Sequence, residues 1–414
     1  MTKTAATTHA PGPRNQSAVM KKGWQIKKLS EVCEKITDGT HQTPTYFDDG
    51  ILFLSSRNVT SGMIDWENVK YIDAKQHGEM QKRVSPHIND ILLAKNGTTG
   101  VAAMVDRDVP FDIYVSLALL RPLAAIRPTF LLHFINSPMA KQQFTKRLKG
   151  IGVPNLHLEE IREVEIPVPP LSEQQRIVKI LDEAFEGIAK AKANTEKNLE
   201  NARAIFESQL NAVLRSKKWK WKTLGDLCKD VEYGSSAKSK KEGKVPVLRM
   251  GNIQDGKIDW EDLVYTDDED EIKKYLLNYN EVLFNRTNSP ELVGKTAIFK
   301  GKMPAIFAGY LIRIHRKEDL LDADYLNYFL NSQIAFDYGK TVVISSVNQA
   351  NINGTKLKSY PIPAPSLSEQ KAIVAQLNKL SEETQLLAQA YEKKLAALDE
   401  LKKSLLNQAF SGEL

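Results

Sequence analysis

The chain has 414 residues, which at roughly 100–200 residues per domain makes two to three domains. Hydrophobic residues at 42% and charged residues at 26% are ordinary for a folded chain and exclude wholesale disorder; no run of about 18 apolar residues offers a membrane span. A net charge of +6 permits nucleic acid as a partner without demanding it, and two cysteines, Cys33 and Cys228, can build neither a disulfide framework nor a multi-cysteine zinc site, which fits a reducing cytoplasm.

Residues 1–20 are rich in Thr, Ala and Pro and lack an apolar targeting core, so they read as a disordered lead-in to a fold that begins near Trp24. Short apolar runs at 51–56, 90–95 and 101–105, bounded by Gly, Asn and Asp, predict strands, and 129–148 predicts a helix. A Pro-rich run (Pro167, Pro169, Pro170) then gives way to Leu171-Ser172-Glu173-Gln174, with Ser172 as the expected N-cap of a helix reaching about Arg215. Its heptad seam places Val178, Phe185, Lys192, Leu199, Phe206 and Val213 at a, and Leu181, Ile188, Thr195, Ala202 and Gln209 at d. A second mixed region follows, with a predicted helix over 323–339, and Ser368 is the expected cap of a second long helix. There Leu377, Thr384, Tyr391, Leu398 and Leu405 form the seam. Leu380, Leu387 and Leu401 widen it, leaving surface for another partner.

The chain repeats itself once. IPVPPLSEQ (166–174) returns as IPAPSLSEQ (362–370), Phe134-Ile135-Asn136-Ser137 as Phe329-Leu330-Asn331-Ser332, Asn155 as Asn351, and NVTSGMIDWENVKYID (58–73) as NIQDGKIDWEDLVYTD (252–267). The organisation is a lead-in 1–20, a mixed α/β domain 21–166, a helix 167–216, a second α/β domain 217–362 and a helix 363–414. Helices of this length span roughly 65–70 Å. Paired within one chain they are antiparallel, which predicts a pseudo-two-fold α/β (α+β) object: two domains separated by two long coiled-coil helices.

Duplex DNA repeats about every 34 Å, so such a bar can set two readers one to two turns apart. The domains differ most in polar loops, as in DGTHQTPTYFDDG (38–50) against YGSSAKSKKEGK (233–244), so the half-sites are expected to differ. Candidate DNA contacts are Thr40, His41, Gln42, Thr43, Arg57, Asn58, Lys95, Asn96 and Thr98 in the first copy. In the second they are Ser235, Ser236, Lys238, Lys240, Arg249, Asn252, Arg286, Thr287 and Asn288. Arg and Lys suit guanine or phosphate, Asn and Gln adenine, and hydroxyls either. Asn58 and Asn252, kept in both copies, are expected to serve a shared turn; the kept cation Lys95/Arg286 suits a phosphate.

Catalytic patterns fail. Gly294-Lys295-Thr296 lacks the upstream glycine of a P-loop, Asn288-Ser289-Pro290 lacks the double proline of amino-methyltransferases, and the seven histidines show no metal-ligand spacing. His157 reads as a turn residue, and Asp267-Asp268-Glu269-Asp270-Glu271 as a solvated acidic turn.

With its duplicated Pro-rich/Leu-Ser-Glu-Gln helices and closing Ala-Phe-Ser-Gly-Glu-Leu, the chain over 24–414 resembles the specificity subunit of type I restriction–modification systems. The resemblance implies two target recognition domains that read a bipartite site in double-stranded DNA, and no catalytic residue or metal site in this chain. It implies helices that also dock two methyltransferase subunits, with restriction/translocase subunits joining them. It places S-adenosylmethionine, ATP and Mg²⁺ on those partners, in the cytoplasm and away from membranes. The rival readings are a scaffold with two protein-binding heads and a stand-alone nuclease.

Overall fold

The computed structural model describes residues 21–59, 62–148, 155–346 and 349–414; the lead-in 1–20 lies outside them. The chain divides into two compact units, residues 1–194 with 394–414, and residues 195–393.

In the first unit the strands are β1 (Gln25–Lys28), β2 (Cys33–Asp38), β3 (Ile51–Leu54), β4 (Lys70–Ile72), β5 (Ile91–Ala94), β6 (Ala102–Met104), β7 (Phe111–Ile113), β8 (Leu117–Pro122) and β9 (Glu165–Val168). The helices are α1 (Leu29–Val32), α2 (Ala74–Gln81), α3 (Pro128–Ile135), α4 (Pro138–Arg147), α5 (Leu158–Arg162) and the first half of α6 (Leu171–Leu214). An antiparallel sheet runs β2-β8-β5-β6, and a smaller one β4-β3-β7 with β3 and β7 parallel. β1 pairs with β9, so the Ile166-Pro167 of the repeated motif lies in a two-stranded ribbon where a missing N–H is tolerated.

The second unit repeats this plan. Its strands are β10 (Trp221–Thr223), β11 (Cys228–Tyr233), β12 (Val245–Leu248), β13 (Ile253–Gln254), β14 (Lys257–Ile258), β15 (Val264–Thr266), β16 (Val282–Asn285), β17 (Thr287–Asn288), β18 (Thr296–Ile298), β19 (Ile306–Phe307), β20 (Leu311–Arg316), β21 (Ile344–Ser346), β22 (Gln349–Asn351) and β23 (Pro361–Pro363). Its helices are α7 (Leu224–Leu227), α8 (Glu269–Tyr275), α9 (Ala323–Leu330), α10 (Gln333–Val342), α11 (Gly354–Lys358) and α12 (Leu367–Ser411). The orders β11-β20-β16-β18 and β15-β12-β19 match the first unit strand for strand, down to a bulge after Cys33 and after Cys228.

Two expectations need correction. The helix over 129–148 is two helices, broken at Asn136-Ser137, and that over 323–339 breaks likewise at Asn331-Ser332. The cause lies in those residues. Asn136 turns its amide onto the edge strand, accepting from the Ala102 N–H (3.0 Å) and donating to its carbonyl (2.9 Å), while Ser137 caps the next helix. Asn331 does the same to Thr296. Each asparagine thereby closes one end of a sheet edge that would otherwise be open to pairing.

The second correction concerns the long helices. Ser366, not Ser368, caps α12, forming a capping box with Glu369; in α6 Pro170 stands at that place, so Ser172 is no cap. The glutamine of Leu-Ser-Glu-Gln explains the motif. Gln174 is buried; it accepts from the Arg127 N–H and donates to the Ala125 and Pro169 carbonyls. Gln370 makes the matching three bonds with Asp322, Leu320 and Pro365. These bonds fix each long helix to its own α/β domain.

Within each unit the two long helices run antiparallel. Arg176 reaches the Leu414 carbonyl and Lys192 pairs with Asp399 in the first; Arg203 pairs with Glu392 in the second. Of the expected d positions, Leu181, Ile188, Thr195 and Ala202 are buried. Phe130 and Phe134 of α3 pack on Phe410 of α12, which makes the end of the chain part of the first unit's core.

Candidate nucleic-acid interface

The variable loops leave the scaffold at the same corner in both units. β2 ends on Asp38, and a Cβ on Gly39 would lie 1.8 Å from the Ile113 carbonyl oxygen; only glycine lets the strands approach so closely. The Thr40 N–H bonds that same carbonyl at 3.0 Å. Gly234 meets Phe307 equivalently, and the Ser235 N–H bonds the Phe307 carbonyl at 2.8 Å. Beyond this root the loops diverge. In the first unit His41, Gln42 and Thr43 are exposed; Gln42 and Thr43, with Lys75, Met80 and Arg83 from α2 and its end, border a cleft of about 550 Å³. In the second, Ser236, Lys238 and Lys240 are exposed, Lys240 pairing with Asp267 at 3.1 Å.

Asn58 and Asn252 staple a shared turn, as expected. Each is buried, accepts from the backbone N–H three residues before it (Ser55, Arg249) and donates to two carbonyls across the turn. Their neighbours face outward. Arg57 is exposed beside Asn58, and Arg249 is half-buried with its guanidinium on the Asp262 carbonyl.

The duplicated cation has a different role from the one expected. Lys95 follows β5 and Arg286 follows β16, and the carbonyl of each accepts from the backbone of the partner segment, Leu156 or Ile352. The Lys95 ammonium is only 6% exposed and bonds Asp38 at 2.6 Å. Arg83 and His41 bond the same carboxylate. Burial alone would raise the Asp38 carboxyl, but the bonds from Lys95, Arg83 and His41 outweigh it and hold the group below the ordinary carboxylate range. In the second unit Tyr233 stands where Asp38 does, and Arg286 stacks 4.8 Å from its ring centroid. A buried ion pair has thus become a cation–π contact at one corner. The geometry at Lys95 offers no phosphate contact, because its charge is already neutralised inside.

Ser235 and Thr287 are also buried: the Ser235 hydroxyl accepts from the Ala237 N–H, and the Thr287 hydroxyl from the Asn351 amide. Thr98 is exposed; Asn96 and Asn288 are half-buried, bonded to Ser56 and to the Ser289 backbone. No local pattern marks Arg83, which sits past the end of α2 and reaches the Asp38 corner only through the fold. On α12 the flanking leucines face solvent: Leu387 is 40% and Leu401 47% exposed, with Leu386 at 66%, while Leu380 is half-buried. Among the described residues no group of three or more His, Cys, Asp and Glu side chains is placed to hold a metal, and no helix is long and apolar enough to cross a membrane.

Two stretches, residues 21–201 and 216–395, match the family profile of the type I restriction modification DNA specificity domain. Over 95% of its length the chain is 25% identical to the EcoKI specificity subunit of Escherichia coli K12, covering 89% of that protein. Over 198 residues it is 32% identical to the putative MjaX specificity subunit of Methanocaldococcus jannaschii, 47% of this chain and 45% of that one. A chain solved in work on complex assembly and conformational transition of the type I R-M system superposes with a TM-score of 0.74 at 19% identity, covering 95% of this chain and 99% of that one. The HsdS subunit of Thermoanaerobacter tengcongensis gives 0.61 at 20% identity, covering 96% and 99%.

Proposed function

From the premise that the chain belongs to the type I restriction–modification DNA specificity family, in which the subunit recognises sequence and does not catalyse, we propose that residues 21–166 and 217–362 are target recognition domains reading the two halves of a bipartite, asymmetric duplex site. One observation carries this. The same scaffold occurs twice, its loops rooted at the same glycine corner, and the exposed side chains beyond that corner differ. Gln42, Thr43 and Thr98 in the first domain, and Ser236 and Asn288 in the second, supply base-edge donors and acceptors. Arg57, Lys238, Lys240 and Arg249 supply phosphate contacts, and Asp38 holds both Arg83, which borders the first unit's cleft, and the exposed His41 beside it.

The solvent-facing Leu386 and Leu387 of the second unit and, separately, Leu401 of the first support α12 as the docking element for two methyltransferase subunits, with restriction subunits joining through them. S-adenosylmethionine, ATP and Mg²⁺ belong to those partners, and the compartment is the cytoplasm. A scaffold with two protein-binding heads is not favoured by the family membership. The test is methylome sequencing of cells expressing the chain with its methyltransferase subunit, against cells lacking it. A new bipartite methyladenine motif is expected. No motif, with the methyltransferase expressed and folded, overturns the reading.

A further inference from the structure

The two units differ in charge around one conserved tryptophan. GMIDW (62–66) and GKIDW (256–260) occupy the same turn, and the segment after β6 corresponds to that after β18. The Val105 N–H bonds the Asp90 carbonyl as the Phe299 N–H bonds that of Glu281. Asp106 and Asp108 therefore match Lys300 and Lys302, while Met63 and Val101 match Lys257 and Lys295. Across these four positions the formal charge runs from −2 to +4. In the first unit the indole is closed off: Trp66 is buried, and its N–H donates to Asp106 at 2.9 Å. In the second, Trp260 is half-buried, its N–H has no hydrogen-bond partner among the described residues, and it borders a cavity of about 610 Å³ lined by all four lysines.

The cavity is built rather than incidental. Its hairpin, β13–β14, turns at Gly256 with φ +75°, and the Gly256 carbonyl accepts from Asn327 of α9 at 2.8 Å. Lys302 lies 5.9 Å from the Trp260 ring centroid. Lys257 and Lys302 have no ion-pair partner among the described residues, whereas Lys300 is taken by Asp324 at 2.9 Å. Asp255, Glu207 and Asp324 also line the space, as do Gln385 and Asn378 of α12, the Asn378 amide oxygen accepting from the Tyr328 hydroxyl at 2.6 Å. Two cations without an ion-pair partner among the described residues, one of them near an aromatic face, in a lining that also carries amides, fit a ligand that is anionic at one end and a planar hydrogen-bonding ring at the other. A volume of this size holds a small molecule rather than a helix.

We propose that the second unit carries a nucleotide site absent from the first: a base lies against Trp260, with its edge toward Gln385 and Asn378, and its phosphate is held by Lys257 and Lys302. The ligand is a nucleoside phosphate, either free or as one unit of a nucleic-acid strand. The site stands independently of how the loops read DNA.

The experiment titrates the full chain with ATP, with tripolyphosphate and with a short single-stranded oligonucleotide, following heat and tryptophan emission. ATP is expected to bind more tightly than tripolyphosphate and to quench emission. Lys257→Glu with Lys302→Glu is expected to weaken it by about tenfold or more, with unchanged melting. Trp260→Phe is expected to remove the quench while leaving phosphate binding. Binding of the oligonucleotide alone, with the same lysine dependence, assigns the site to a strand. Equal affinity for tripolyphosphate and ATP, no binding of ATP or oligonucleotide, or affinities indifferent to both lysine changes overturn the proposal. The methylome of the double-lysine variant keeps the two questions apart, because an unchanged motif leaves the reading of half-sites standing whatever the cavity binds.

Discussion

Asp38 shows how one residue organises the corner from which the first unit's polar loop departs. It is buried, yet it holds three cationic or ionisable groups, Lys95, Arg83 and His41. Removing it leaves the Lys95 ammonium buried and uncompensated. Asp38→Ala is therefore expected to cost about 3–5 kcal/mol, read by chemical denaturation, whereas Asp38→Leu with Lys95→Met removes both charges and recovers much of the loss. The folded-state carboxyl lies below its unfolded value, so its contribution is complete above about pH 4 and fades as pH falls through the folded value. A stability–pH profile of the Asp38→Asn variant that keeps the full wild-type acid limb contradicts this. Gln42, exposed and with no side-chain hydrogen bond among the described residues, is the complementary case: Gln42→Ala is expected to leave stability within about 0.5 kcal/mol and relax one base position in one half-site.

At the scale of elements, the joint between long helix and α/β domain is where sequence motif and energetics meet. Gln174→Ala or Gln370→Ala empties a buried side-chain site and strips partners from one backbone N–H and two carbonyls, and each is expected to cost about 1–3 kcal/mol, seen as faster hydrogen exchange at 125–127 or 320–322. α3 also touches α6 through His133, which bonds Asp182 at 2.8 Å and meets the Phe185 ring edge-on. Burial pushes this imidazole below its usual value despite Asp182, so the unfolded chain takes up the proton first. The first unit is expected to lose stability as pH falls below about 6.5, and His133→Phe to flatten that limb in thermal melts.

For the whole molecule, the duplicated scaffold makes exchange the decisive perturbation. Replacing 21–166 by the corresponding segment of a relative is expected to change one half of the methylated motif and keep the other; a change in both halves contradicts separate readers. α6 and α12 both pass through the boundary between units, at 194/195 and 393/394. Matched seven-residue insertions at both points add roughly 10 Å of helix and are expected to lengthen the spacer by about three base pairs without altering either half-site.

Much of this was legible in the chain itself. The repeat, the mixed α/β character, the two long helices and the shared-turn asparagines follow from self-similarity and apolar periodicity, because local residue types dictate local backbone. Residues far apart in sequence decided the rest. Neither neighbour of Asn136 announces that its amide closes an edge strand 34 residues earlier, and nothing near Lys95 announces Asp38, 57 residues away. A charged side chain reads as a surface contact until the fold supplies a buried counter-ion. So the sequence could place the cations and polar loops along the chain, but only tertiary structure separated the charges turned inward, Lys95 with Asp38, from those left facing solvent, Lys238 and Lys257. The physical reason is that pairing and desolvation depend on distances no local pattern encodes.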